Sequence, residues 1–197
     1  IAEGVDGVKS LTLSQTTTGS NTTRGSSVYT APGTLTDAIG TYDEAQTDLL
    51  VQTRDSYLDP INDGLNALIN ASSTLENASS SNQFLIATLN ALTSCLQGQN
   101  PPGDTAWAAN QIDLANQRIG LIGAKGVEVN SLADSLESMK AIIEGATTAQ
   151  DLIGLSLSAI NVALRDSLNL QIEANEFFQA VQTAQSEADS RLRDCQQ

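Results

Sequence analysis

Between Ile61 and Leu96 the sequence repeats one spacing: Ile61, Leu65, Leu68, Ser72, Leu75, Ser79, Asn82, Ile86, Leu89, Thr93 and Leu96 follow each other in alternating steps of four and three. That average period is helical, and a strand, whose side chains alternate every second residue, could not gather these positions on one face. The pattern commits the segment to a long helix, and a helix with one apolar stripe needs another element to cover it. The middle of the stripe is polar at Ser72, Ser79 and Asn82, where a tight self-sufficient core would carry leucine; these positions suit a cavity wall or a partner-facing surface.

Covering elements are supplied at the same spacing. Ala108, Ile112, Ala115, Ile119, Ile122, Gly126 and Val129 keep the alternation, which resumes after one short step at Leu132, Leu136, Met139 and Ile143. Ile153, Leu157, Ile160 and Leu164, then Leu170, Ala174, Phe177, Val181, Ala184, Ala188 and Cys195, mark a final helix of roughly 48 residues, or about 70 Å. Upstream, Leu35, Ala38, Ile39, Tyr42, Ala45 and Leu49 recur at three and four behind Pro32-Gly33, with Thr34 available as a cap.

Punctuation divides these stripes. Asp59-Pro60 predicts either a turn or a kink, because proline disfavours helix in the residue before it. Ser79-Ser80-Ser81 is a weaker point. The run Gly98 to Gly103, with Pro101 and Pro102 between its glycines, cannot continue a helix, and Asp104 or Thr105 can cap the next one. Gly120, Gly123 and Gly126 weaken the middle helix, and Gly145 to Thr148 ends it. The expected fold is all-α: an elongated antiparallel bundle of three to four long helices over residues 34–197. Ahead of it, residues 1–33 are rich in Ser, Thr and Gly. There Leu11-Thr12-Leu13 and Ser27-Val28-Tyr29-Thr30, separated by Gly19-Ser20-Asn21, read as an extended or β-hairpin-like segment whose Leu11, Leu13, Val28 and Tyr29 pack on the outer face of the bundle or, the favoured alternative, on a neighbouring molecule.

Short turns at 98–103 and 145–148 would make the segments ending at Cys95 and Cys195 parallel, with the middle helix running back between them. The only two cysteines then meet at one end, and a disulfide between them is expected. A disulfide implies an oxidising compartment. The chain opens on Ile1 rather than Met, which fits removal of a signal peptide, and three N-x-S/T acceptors, Asn21, Asn70 and Asn77, fit a secreted glycoprotein. With Leu68 and Leu75 placed at heptad position d, Asn70 and Asn77 both fall at f, far from the seam.

The chemistry of the residue types excludes more than it suggests. The balance of 23 acidic against 9 basic residues, a formal charge of −14, repels nucleic acid and anionic lipid surfaces. With no histidine there is no Ser-His-Asp or Cys-His pair and no set of zinc ligands, and no G-x-S-x-G elbow occurs. Asp43, Glu44, Asp134, Glu137 and Glu144 fall between apolar seam positions, as a solvated face does. The stretch Gly120 to Gly126 lacks the Ser or Thr after Lys125 that a phosphate loop needs, and Asp59 to Gly64 puts Ile61 at a calcium-ligand position. Trp107, beside the proline loop, either covers the end of the bundle or contacts a partner. No apolar run is long enough to cross a bilayer. The function these features suggest is that of a secreted, glycosylated structural or interaction protein. It is expected to be non-catalytic, without metal or cofactor, acting through a protein partner or self-association. The alternative is a carrier of a lipid or other apolar ligand within the bundle, and an enzyme or enzyme inhibitor ranks third.

Overall fold

The computed structural model describes residues 32–197, with side chains from Tyr42 onward. Leu11, Leu13, Asn21, Val28 and Tyr29, and with them the expected extended segment, lie outside the described residues. The order of elements is α1 (Pro32–Gln97), α2 (Ala106–Gly145), a single 3-10 turn (Ala149–Leu152) and α3 (Leu157–Gln196), and no strand occurs among the described residues.

The described residues divide into two compact units: one comprises residues 32–55 with Ala146–Gly154, the other Ser56–Gly145 with Leu155–Gln197. In the first unit the Asp151 carboxylate accepts hydrogen bonds from the backbone N–H groups of Thr147 (2.9 Å) and Thr148 (2.8 Å), closing the turn that follows α2. The Arg54 guanidinium donates to the Ala146 carbonyl.

The second unit is a three-helix body. Its burial pattern is strictly heptadic. On α1 the buried rows are Ile61, Leu68, Leu75, Asn82 and Leu89, and Gly64, Ala71, Ala78, Leu85 and Leu92. On α2 the buried residues are Ala108, Ala115, Ile122, Val129, Leu136 and Ile143, each seven after the last. On α3 the row is Ile160, Ser167, Ala174, Val181 and Ala188. Cross-helix contacts fix the directions: Lys140 of α2 bonds Asn62 of α1 near one end, Asn82 of α1 meets Ala115 of α2 farther along, and Gln185 of α3 bonds Thr88 of α1. α1 and α3 are therefore parallel and α2 runs between them in reverse, so Cys95 and Cys195 meet and form a disulfide across a separation of 100 residues.

Two expectations are corrected and one alternative is decided. Of the turn or the long kinked helix expected at Asp59-Pro60, the structure has one helix, α1, which passes through Pro60. The missing N–H costs one helical hydrogen bond, but Ile61, next in sequence, is fully buried, and tertiary packing outweighs the local preference. The final helix starts at Leu157, with the Ser156 hydroxyl accepting from the Ala159 N–H at 3.2 Å; Ile153 stands 71% exposed ahead of it instead of joining the seam. The second row of α1 is shifted by one residue: Leu65, Ser72, Ser79, Ile86 and Thr93 are half-buried, and the residue before each is the one that is fully enclosed.

Candidate interaction surface

The Cys95–Cys195 end is closed by side chains that the proline loop brings together. Gly103 N–H donates to the Leu96 carbonyl at 2.9 Å, folding the loop back onto the end of α1. Trp107, expected to cover the end or meet a partner, packs against the cluster of Leu85, Leu89, Leu92, Ala108 and Ala188, and the Arg191 guanidinium stacks over its ring at 4.0 Å. Gln99 Nε2 lies 3.4 Å from Cys195 Sγ.

Asn70 and Asn77 are both exposed. With residues 61, 68 and 75 as the first buried row, the two asparagines take position c of the heptad rather than f, which still lies outside the seam. Phe84 continues the same row one heptad later and is 62% exposed. Asn21 is outside the described residues.

Two grooves flank α3. Between α1 and α3, Ser80, Ser81 and Phe84 face Gln182, Ser186 and Asp189. Its floor is a polar relay in which Gln185 Nε2 donates to Thr88 Oγ1 at 3.0 Å and to Asp189 Oδ1 at 2.9 Å. Between α2 and α3, the Lys125 ammonium bridges Glu128 of its own helix and Glu173 of α3, each at 2.8 Å. Its charged state is favoured by the hydrogen bonds to Glu128 first and Glu173 second, which raise its pKa. Among the described residues no three His, Cys, Asp or Glu side chains gather into a metal-binding group, and no helix is long and apolar enough to cross a membrane.

One apolar row has no place in the body's seam. Leu114, Leu121 and Ile142 of α2 sit at the same heptad position as Trp107, immediately before the buried row at 108, 115, 122 and 143, and all three are exposed, Leu121 at 54%; Glu128 and Ser135 hold the two positions of this row between Leu121 and Ile142. Gly120 and Gly123 flank Leu121, and a Cβ at either would meet nothing within 4 Å. Val127 adds 69% exposure on the following turn. In the sequence this row is overshadowed by the stronger stripe beside it, and its one signal is leucine at 114 and 121, each one residue ahead of the seam.

Comparison with known protein families, with curated proteins and with solved structures gave no match.

Proposed function

We propose that this chain is a secreted, glycosylated, non-catalytic interaction protein that presents a helix face to a protein partner, in the simplest case a second copy of itself. The observation that carries this reading is the exposed row of Leu114, Leu121 and Ile142 on a helix whose inward face is already filled. Apolar side chains aligned outside a finished seam hold surface that water solvates poorly, and helix pairing is the usual way to cover such a row. Export is supported by the disulfide and by the two exposed acceptors Asn70 and Asn77.

The net charge of −14 sets the conditions. Two copies repel at low ionic strength, and salt shortens the screening length from about 30 Å at 0.01 M to about 8 Å at 0.15 M, so self-association should strengthen as salt is added. Light scattering across a salt and concentration series tests this. The expected result is a mass that grows with both variables and returns to the monomer in Leu121→Glu. A wild-type mass fixed at the monomer throughout removes self-association, and a mass that grows but ignores Leu121→Glu removes this surface.

A further inference from the structure

We propose that an N-linked glycan on Asn77 folds along its own helix into the groove between α1 and α3, resting its first sugars on Phe84. The proposal depends on the glycosylation put forward above and adds to it a docking place for the sugar.

The placement starts from register. Asn70, Asn77 and Phe84 occupy one row of α1, so Asn77 stands one heptad, about 10.5 Å of rise, from Phe84, and Asn70 stands about 21 Å away. Helical side chains lean towards the N-terminus of their helix, so the Phe84 ring lies over the turn that holds Ser80 and Ser81, on the side of Asn77. Those two serines are themselves three and four residues beyond Asn77 and so share its face.

The chemistry of the groove fits a pyranose. Phe84 is a large apolar ring left in water while its neighbour Leu85 takes the core position. Around it stand hydroxyls, an amide and a carboxylate: Ser80, Ser81, Gln182, Ser186 and Asp189. A sugar ring presents a C–H face that packs on an aromatic plate and a rim of hydroxyls that needs both donors and acceptors, which this set supplies. Tethering selects the occupant. A glycan attached one heptad away is held at high effective concentration, so contacts too weak to capture a free sugar suffice for it.

The test uses the full chain secreted from a eukaryotic host, with occupancy of Asn77 and Asn70 read by glycopeptide mass. Melting temperatures are compared for wild type, Asn77→Gln, Phe84→Ala and the double variant. Loss of the Asn77 glycan is expected to lower Tm by about 2–4 °C, and Phe84→Ala to abolish most of that difference. Phe84→Tyr, which keeps the ring, should retain it. Asn70→Gln serves as the control, with the same effect in either Phe84 background. A second readout is enzymatic release of the glycans under native conditions, expected to be slower at Asn77 than at Asn70, with the gap closing in Phe84→Ala. If Asn77 is occupied but the Asn77 and Phe84 effects simply add and the two glycans are released at equal rates, the docking is wrong and glycosylation stands. If neither asparagine carries a glycan, the glycosylation reading falls and the docking with it.

Discussion

The side-chain amide of Asn82, fully buried in α1, donates a hydrogen bond to the main-chain carbonyl of Ala115, a quarter of the way along α2, at 2.6 Å. Its other polar atom, Oδ1, is buried without a hydrogen-bond partner. An asparagine in a seam of leucines weakens the core and fixes the register, because sliding one helix by a turn would strand the amide in apolar surroundings. Asn82→Leu is therefore expected to raise the urea midpoint, whereas Asn82→Asp, which buries a charge and deletes the donor, should cost roughly 3 kcal/mol or more. Equal midpoints for both variants would contradict this account.

Gly64 of α1 packs closely against both of the other helices. A Cβ there would lie 2.9 Å from Leu136 Cδ1 and 3.4 Å from Ser167 Oγ, and both of those side chains are themselves fully buried. Gly64→Ala should destabilise the body by about 1–2 kcal/mol despite alanine's higher helix propensity, and Gly64→Val by more. Gly120→Ala and Gly123→Ala face open space and should stabilise by up to about 1 kcal/mol each. Chemical denaturation of the variants side by side reads the opposite signs.

Removing the disulfide by Cys95→Ser with Cys195→Ser releases a loop closed over 100 residues. Chain entropy alone gives a loss of about 4.7 kcal/mol for a loop of that size. Helical content at 20 °C should remain while the melting temperature falls by roughly 10 °C or more. A fall of only a degree or two would mean that the enclosed chain is constrained by other means when unfolded.

At Asp151 the backbone N–H groups of Thr148 and Thr147 hold the carboxyl below its ordinary pKa. A depressed acid contributes stability above its unfolded pKa and loses it as pH falls through the folded value, so the turn after α2 should loosen only under acid conditions. The Asp151 carboxyl titration followed by NMR should have its midpoint below the ordinary aspartate value, and amide exchange at Thr147 and Thr148 should quicken as it protonates. Lys125 behaves in the opposite sense: its raised pKa means the bridge to Glu128 and Glu173 holds below the ordinary lysine value and is lost as pH rises past the folded one.

The part of the fold that the sequence made legible is the part written in large residues. Ile61, Leu68, Leu75 and Leu89 announced one row of α1, and Ile122, Val129, Leu136 and Ile143 the row of α2. The second row of α1 was misplaced by one residue because it is built from Gly64, Ala71 and Ala78, whose small size brings the helices together but leaves no trace in an apolar count. Leu65 and Ile86 drew the eye instead, and in a three-helix body such positions are half-buried because each helix touches two neighbours. At Pro60 local backbone preference leaves a turn and a single long helix both open, and the burial of Ile61 selects the helix. The exposed row at Leu114 and Leu121 and the position of Phe84 beside Asn77 required knowing which face had already been used.

The pairing of Cys95 with Cys195 also decides how the protein answers a mechanical load. Tension that enters along α1 and leaves through the residues after Cys195 crosses the sulfur bridge directly, and the stretch between the cysteines carries none of it. A pull that unravels the first helix from its far end therefore puts no tension on α2 or α3. About 350 Å of chain length is held in reserve, released only when a reductant opens the bond.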